Sequence, residues 1–329
     1  MGAVIQAERT TSTRGEQPPP AAGSAVERAG DEHVFLVGRP PIGEYLGFVQ
    51  SLAVNGHAVD LGELTEEWRR ANDHVRALET IEAGIADTPP IRELPRDLAA
   101  LATKLTGDPM FRRVFRFVPS RIALVELDRL MVFQKNVNLR YVQELKARLG
   151  NAPSLASAFR LALSLDRVEP PVRQMQGPQN LFSFLCPSND LRFLEPVLLE
   201  PGQVSGFTST GRPNRVIGLA VGFGSNYLNA LHVDGRLILN NGSHRAYALR
   251  ELGVKEVPCI VQTVTRRDEL ELVASGDFQQ APDRYLKAPR PPLLKDYFDP
   301  KLRKIVLVQR KNRLVRVQIA VEQSDVPAE

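Results

Sequence analysis

The sequence predicts an α+β protein, and two stretches of the chain carry that prediction. Within residues 228–261, two short strands are followed by a glycine turn, a helix and another strand. Upstream, residues 138–150 have apolar side chains at helical spacing and end at a glycine, a natural stop for a helix. Strands and helices in this irregular order are typical of a mixed sheet covered by helices.

The composition indicates a globular protein that is expected in the cytoplasm. Its 329 residues are 43% hydrophobic and 24% charged, which is enough apolar material for one or two cores. Because no run of eighteen apolar residues occurs and the first thirty residues lack an apolar stretch, we expect neither a membrane partner nor a secretory signal. The two cysteines, Cys186 and Cys259, lie far apart in sequence and are expected to be free thiols.

Changes in composition divide the chain into an arm, an extension, a core domain and a tail. Residues 1–30 have few aliphatic side chains and are expected to form a disordered arm. Helical spacing around Trp68 and Val75 predicts a helical N-terminal extension over 31–118. The core domain is predicted over 119–265, with a large insertion at about 151–225.

The tail, residues 266–329, is predicted to be a basic C-terminal extension that contains a β-hairpin. Two apolar segments, 304–308 and 313–321, flank Arg310-Lys311-Asn312 and predict that terminal hairpin. Between Asp283 and Arg316 there are eleven Lys or Arg against three Asp. Such a block attracts phosphate backbones, but solvated basic faces are also common.

Within the core domain, the turn after the predicted hairpin has the residues of an anion site. Asp234-Gly235 suits a tight primed turn, so the second strand is expected to end near Asn240. A helix then begins after Gly242, and the N-terminus of a helix offers unpaired N–H groups and a partial positive charge. The sequence therefore predicts that a phosphate binds at the start of this helix.

Five residues of this turn are candidate phosphate ligands. Gly242 allows a close approach of the backbone, while His244 is a donor that can gain charge near neutral pH and Arg245 presents a planar fork of donors. The alternative is a structural role, in which Arg245 pairs with a carboxylate such as Glu251. The candidates are Asn241, Gly242, Ser243, His244 and Arg245.

The segment 234–261, DGRLILNNGSHRAYALRELGVKEVPCIV, resembles the signature segment of the ParB/sulfiredoxin superfamily. That segment consists of a strand, a glycine turn with His-Arg or Arg-Arg, a helix, a glycine and a strand opened by Val-Pro. Residues 136–140, Asn-Val-Asn-Leu-Arg, look like the early Asn-x-Arg element of the family, and the resemblance adds Asn138 and Arg140 to the candidate ligands. It implies a ParB/sulfiredoxin-like mixed α/β core.

Two departures from the family pattern limit what the resemblance implies. Sulfiredoxins have a cysteine where this chain has Ser243, so thiol-dependent repair of sulfinic acids is not implied. ParB partition proteins continue into a helix-turn-helix domain, whereas residues 266–329 contain a Pro-rich passage and predicted strands. Other members bind or hydrolyse nucleoside triphosphates or phosphorylate small substrates, and no residue here is assigned as their general base.

The sequence therefore predicts a protein that binds a nucleotide or another phosphorylated ligand, with a nucleoside triphosphate and Mg²⁺ as the implied cofactor. An NTP hydrolase or a phosphotransferase is the enzyme class that fits, and whether the chain is an enzyme stays open. One alternative is a DNA- or RNA-binding or nuclease-like regulatory protein that uses the same turn and the basic tail. A second is a non-catalytic partner-binding protein. The sequence predicts no metal site made by protein ligands, and it does not predict the oligomeric state.

Overall fold

A computed structural model describes residues 30–206 and 208–327 and confirms the α+β class. The expected disordered arm lies, except for Gly30, outside the described residues. Within the described ranges, no helix is long and apolar enough to cross a membrane.

Helices and strands occur along the whole described chain. The helices are α1 Ile42–Leu52, α2 Leu61–Ile81, α3 Ala99–Gly107, α4 Pro109–Val114, α5 Leu139–Leu149, α6 Leu155–Ala162, α7 Ser243–Glu251, α8 Leu270–Val273, α9 Gly276–Gln280 and α10 Asp283–Leu286. The strands are β1 Gly30–Leu36, β2 Ile91–Arg92, β3 Ser120–Glu126, β4 Asn136–Asn138, β5 Arg173–Gly177, β6 Leu181–Cys186, β7 Leu191–Leu199, β8 Val216–Phe223, β9 Asn229–Val233, β10 Arg236–Asn241, β11 Glu256–Thr263, β12 Arg303–Gln309 and β13 Arg313–Gln318.

The central sheet has the strand order β10-β9-β11-β3-β2. Its neighbours are antiparallel, apart from β11 and β9, which run parallel. The hairpin predicted from Asp234-Gly235 is confirmed, because β9 and β10 pair from Val233 and Arg236 outward. Both turn residues have positive φ, 47° at Asp234 and 74° at Gly235, as a primed two-residue turn requires.

The central sheet separates two hydrophobic cores, since alternate side chains of a strand point to opposite faces. Leu237 and Leu239 of β10 belong to the larger core, which also contains buried residues of α5, α6 and α7. Ile238 points the other way and joins a smaller core with Phe278 and Leu286 from α9 and α10. The short helices α8–α10 therefore cover the face of the sheet that α7 does not.

A second sheet, with the order β12-β1-β4, joins distant parts of the chain. β1 lies in the middle and pairs antiparallel with both neighbours. The predicted terminal hairpin is wrong: β12 pairs with β1, whereas β13 pairs with β6 in a different sheet. Each strand pairs along its full length with a strand elsewhere in the chain, so the link 310–312 connects two sheets instead of closing a turn.

The region 151–225, the expected insertion, contributes to the larger core through α6 and through Leu163 and Leu165, which follow it. Phe159 and Ala162 of this helix are fully buried there. The rest forms two small sheets, one with the order β13-β6-β5 and one that pairs β7 with β8. The boundaries of an insertion stay a prediction.

A cluster of charged side chains joins the C-terminal extension to Glu82, the residue that follows α2. Arg290 is 1% exposed and forms ion pairs with Asp296, also 1% exposed, and with Glu82 at 3.0 Å. Lys295 reaches the other oxygen of Glu82 at 2.7 Å. Because buried charges are tolerated when they are paired and hydrogen-bonded, this cluster fixes the register between the two parts of the chain.

We expect Arg290→Met to lower the free energy of unfolding by about 3–5 kcal/mol, because it leaves the Asp296 carboxylate buried without its partner. Urea denaturation of the variant and the wild type measures the difference. Arg92→Met is the matched control, since Arg92 and Glu256 form an exposed pair whose loss should cost about 0–1 kcal/mol. Equal costs for the two variants would contradict a structural role for the buried cluster.

Candidate functional site

The predicted turn does form the start of a helix, α7, immediately after the central hairpin. Gly242 has φ +102°, a conformation that side chains with a Cβ rarely adopt. A Cβ at this position would lie 3.0 Å from the backbone Cα of Leu228. The glycine is therefore required by close packing of the turn against the residue before β9.

We expect Gly242→Ala to be more destabilising than Gly253→Ala, although both glycines have positive φ. Gly253 follows the end of α7, and no described atom lies within 4 Å of its Cβ position, so only backbone strain of about 1–2 kcal/mol opposes the alanine. At Gly242 the alanine also meets Leu228, and this contact destabilises the variant by about 1–3 kcal/mol more than backbone strain alone. Thermal denaturation of the two variants tests this order, and a smaller loss at Gly242 would contradict it.

The His244 ring couples the turn to the start of α5. Its Nε2 accepts a hydrogen bond of 3.0 Å from the backbone N–H of Asn138, so this nitrogen carries no proton. The ring also lies edge-on to Tyr141, with 5.4 Å between centroids. Burial, His33 and Arg245 lower the pKa of His244 from 6.5 to about 4. His244 is therefore neutral near pH 7, contrary to the expectation from the sequence that it gains charge there.

We expect His244 to make the protein less stable as the pH falls from about 6.5 to about 4, the values of its unfolded and folded pKa. In this pH window His244 binds a proton more tightly in the unfolded chain than in the folded one. The free energy of unfolding therefore falls by at most about 3 kcal/mol. His244→Gln keeps an acceptor for the N–H of Asn138 but cannot be protonated, so its stability should vary less with pH. Urea denaturation from pH 4 to 7 measures this difference.

The control for this experiment is His57→Gln, because His57 is exposed. Its pH dependence should match that of the wild type. A His244→Gln variant with the same pH dependence as the wild type would show that His244 is not buried in the neutral form.

Asn138 and Arg140, which the family resemblance added, bind a carboxylate of the protein itself. The Asn138 side chain caps α5 by accepting the N–H of Tyr141 at 3.0 Å, and its amide donates to Asp31 at 3.3 Å. Arg140 and Arg310 also donate to Asp31. Burial would raise the pKa of Asp31, but these three hydrogen bonds hold it below its usual value. Both predicted ligands thus help to join β1 to α5.

Arg245 is buried, with 4% of its surface exposed, and its guanidinium donates only to neutral oxygens. The acceptors are the carbonyl of Ala162 at 2.7 Å, the hydroxyl of Ser164 at 2.7 Å, and the carbonyl and side-chain oxygen of Asn226. No carboxylate of the described residues lies within 4.0 Å of it. The alternative role, a pairing of Arg245 with Glu251, is wrong, because Glu251 binds Lys146 at 2.8 Å.

The charge of Arg245 is consequently buried without an anionic partner in the described chain. Burial lowers its pKa from 12.5 to about 10, which still leaves the guanidinium charged at neutral pH. A charge in a medium of low dielectric acts on its neighbours more strongly than one in water. Arg245 therefore favours an anion in any space that adjoins it.

Such a space exists, a cavity of about 170 Å³ between α5, α6 and the residues that follow α6. We call it the arginine-lined cavity, since four of its lining residues are arginines and one, Asp166, is acidic. Its lining residues are Tyr141, Leu145, Arg148, Leu149, Ser157, Arg160, Leu161, Ser164, Asp166, Arg167, Asn226 and Arg245.

Of the predicted ligands, Arg245 alone appears among these lining residues. Asn241 donates to the carbonyl of Ser225 at 3.5 Å, a long hydrogen bond, and Ser243 is buried, with 6% exposed. The structure therefore divides the predicted set: Arg245 faces the cavity, His244 binds Asn138, and Gly242 packs against the hairpin.

The other cavity arginines come from segments that the sequence analysis did not select. Arg148 lies in the last turn of α5, Arg160 in α6, and Arg167 follows α6. Arg160 pairs with Asp166 at 3.1 Å, and Arg167 pairs with Asp190 at 2.8 Å. No local motif marks these residues, because only the packing of α5 and α6 beside α7 brings them together.

The basic tail is partly neutralised by the body of the protein. Lys304 pairs with Glu67, and Arg310 pairs with Asp31. These two residues belong to the positive block that suggested a nucleic-acid partner. Their pairing reduces the charge available to a phosphate backbone.

Among residues 30–206 and 208–327, no group of three or more His, Cys, Asp or Glu side chains is arranged to hold a metal ion. The chain matches no protein-family model, no curated protein and no solved structure. The resemblance to the ParB/sulfiredoxin superfamily therefore stays a prediction. The class that the fold defines is an α+β protein with an arginine-lined cavity beside the start of α7.

Proposed function

We propose that this protein binds the phosphate group of a nucleotide, or of another phosphorylated ligand, in the arginine-lined cavity. One observation carries the proposal: the buried guanidinium of Arg245 lines this cavity and has no carboxylate partner within 4.0 Å in the described chain. A phosphate would supply the missing negative charge, and arginines bind phosphate through charge-assisted and often paired hydrogen bonds.

The arginines of the cavity contribute to the proposed binding in two ways. Arg245 is held by its own hydrogen bonds and provides a fixed charge, whereas Arg148 and Arg160 are exposed and able to turn toward a ligand. At about 170 Å³ the cavity is smaller than the roughly 300–1,000 Å³ of most ligand pockets. It suits a phosphate group, so the nucleoside of a nucleotide would lie outside, against the surfaces of α5 and α6.

Magnesium would enter this site with a triphosphate, because Mg²⁺ usually keeps phosphate oxygens and waters among its ligands. We propose binding and assign no catalytic step, since Asp166, the acidic residue among the described lining, is engaged by Arg160. A cytoplasmic location is part of the proposal and agrees with Cys186 and Cys259, which are free and buried in the described chain.

We expect pyrophosphate and ATP, each with and without Mg²⁺, to raise the melting temperature of the wild-type protein. A ligand at about 100 times its Kd adds about 2.7 kcal/mol to the free energy of unfolding when it binds only the native state. Arg148→Gln/Arg160→Gln should keep the melting temperature of the free protein, because both side chains are exposed, and should weaken ligand binding at least about tenfold, a loss of about 1.4 kcal/mol. Thermal shift and calorimetric titration measure these effects.

Arg92→Gln/Arg116→Gln is the matched control, since it removes the same charge from exposed positions outside the cavity lining. It should bind the ligands as the wild type does. Equal affinities of both double variants would contradict binding in the cavity. Binding of single-stranded DNA that falls steeply with salt, together with no response to pyrophosphate or ATP, would favour the nucleic-acid alternative instead.

A further inference from the structure

The ribbon formed by β7 and β8 leaves a strand edge open. The two strands pair antiparallel with each other, and no further strand of the described chain joins them. No residue of β8 is fully buried, and Ile217 is 71% exposed. A two-stranded ribbon alone is of marginal stability in water, and a sheet normally needs three or more strands. The free edge of β8 is therefore a place at which this sheet can be extended.

The edge of β7 is protected against further pairing, whereas the edge of β8 is not. β7 contains Pro196 and a bulge between Phe193 and Glu195. Prolines, bulges and charged side chains are the devices by which proteins keep exposed strand edges from pairing. β8, with the sequence VIGLAVGF, contains no proline and no charged residue. The edge of β8 is therefore suited to a partner strand.

Pro196 also identifies the groups of β8 that point toward the free edge. It lies directly opposite Leu219 and has no N–H, so the two residues form a pair without hydrogen bonds between them. The N–H and C=O of Leu219 then point away from β7. Because this direction alternates along a strand, the same groups of Ile217 and Val221 also point away from β7. The free edge thus presents a donor and an acceptor at every second residue.

A second copy of β8 complements this edge. Two identical strands that pair antiparallel around Ala220 are related by a two-fold axis, so each copy offers what the other needs. Ile217 of one copy then lies opposite Phe223 of the other, and the large apolar side chains of both strands share one face. The two strands form about eight backbone hydrogen bonds in this register. Like charges do not meet, because β8 is uncharged.

We propose that the protein forms a two-fold dimer in which β8 pairs antiparallel with β8 of a second copy. The two ribbons join into a four-stranded sheet with the order β7-β8-β8-β7. Both outer strands are then β7, whose edge is protected by Pro196 and the bulge, so association stops at two copies. No residue of β8 lines the arginine-lined cavity, so the dimer does not depend on the proposed phosphate site.

The test is sedimentation velocity of the full chain from micromolar to millimolar concentration. We expect the wild type to change reversibly from the mass of one chain to that of two. Leu219→Pro removes an N–H from the free edge and keeps the hydrogen bonds to β7, as prolines do on edge strands. Its dimer should form only at concentrations at least about tenfold higher.

Leu198→Pro is the matched control. Leu198 lies two residues after Pro196 on β7, so its N–H also points out of the ribbon, but from the opposite edge. This variant should dimerise as the wild type does, and thermal denaturation shows whether both variants fold. Packing of the two ribbons face to face would instead leave both variants dimeric, because it uses no backbone groups of either edge.

Hydrogen exchange followed by NMR locates the interface in the wild type and decides the case if Leu219→Pro does not fold. The amides of Leu219 and Val221 should exchange more slowly as the chain concentration rises, whereas the amide of Leu198 should exchange at a constant rate. A chain that stays monomeric at millimolar concentration would overturn the proposal. Dimers that leave the exchange of the β8 amides unchanged, or that Leu219→Pro and Leu198→Pro affect equally, would do the same.

Discussion

The hydrogen bonds of the Arg245 guanidinium are the interaction on which the candidate site depends. They tie α7 to the carbonyl at the end of α6 and to Asn226, just before the central hairpin. Because every acceptor is neutral, the same bonds that fix the helices leave the positive charge uncompensated. The same side chain lines the cavity, and its uncompensated charge is the basis of the anion binding that we propose. The proposed anion would offset part of the cost of removing this charge from water.

The part of the fold that could be predicted is the part set by neighbours in sequence. The primed turn at Asp234-Gly235 and the helix that begins at Ser243 both follow from a few adjacent residues, and both are present. The partners of β12 and β13 could not be predicted in this way. Their apolar residues fit a strand in any sheet, and the choice of β1 and β6 depends on residues far away in the chain.

The same limit applies to the candidate site. The sequence indicates that a helix begins after Gly242 and that Arg245 lies in its first turn. It does not indicate that the acceptors of Arg245 are Ala162, Ser164 and Asn226. Nor does it indicate that burial keeps His244 neutral. Protonation and charge pairing are set by distant groups, so the residue types were recognisable whereas their roles were not. The cavity arginines of α5 and α6 were missed for the same reason.

The sheet β12-β1-β4 also constrains how the protein is made. Of the described strands β1 is synthesised first, yet Gly30 pairs with Gln309, near the far end of the described chain. Until β12 has been synthesised, one edge of β1 exposes unpaired N–H and C=O groups, and only the three residues of β4 can cover the other. An open strand edge of this kind is a template for pairing with other chains. While the residues between β1 and β12 are being synthesised, this edge of β1 is therefore open to pairing with other chains.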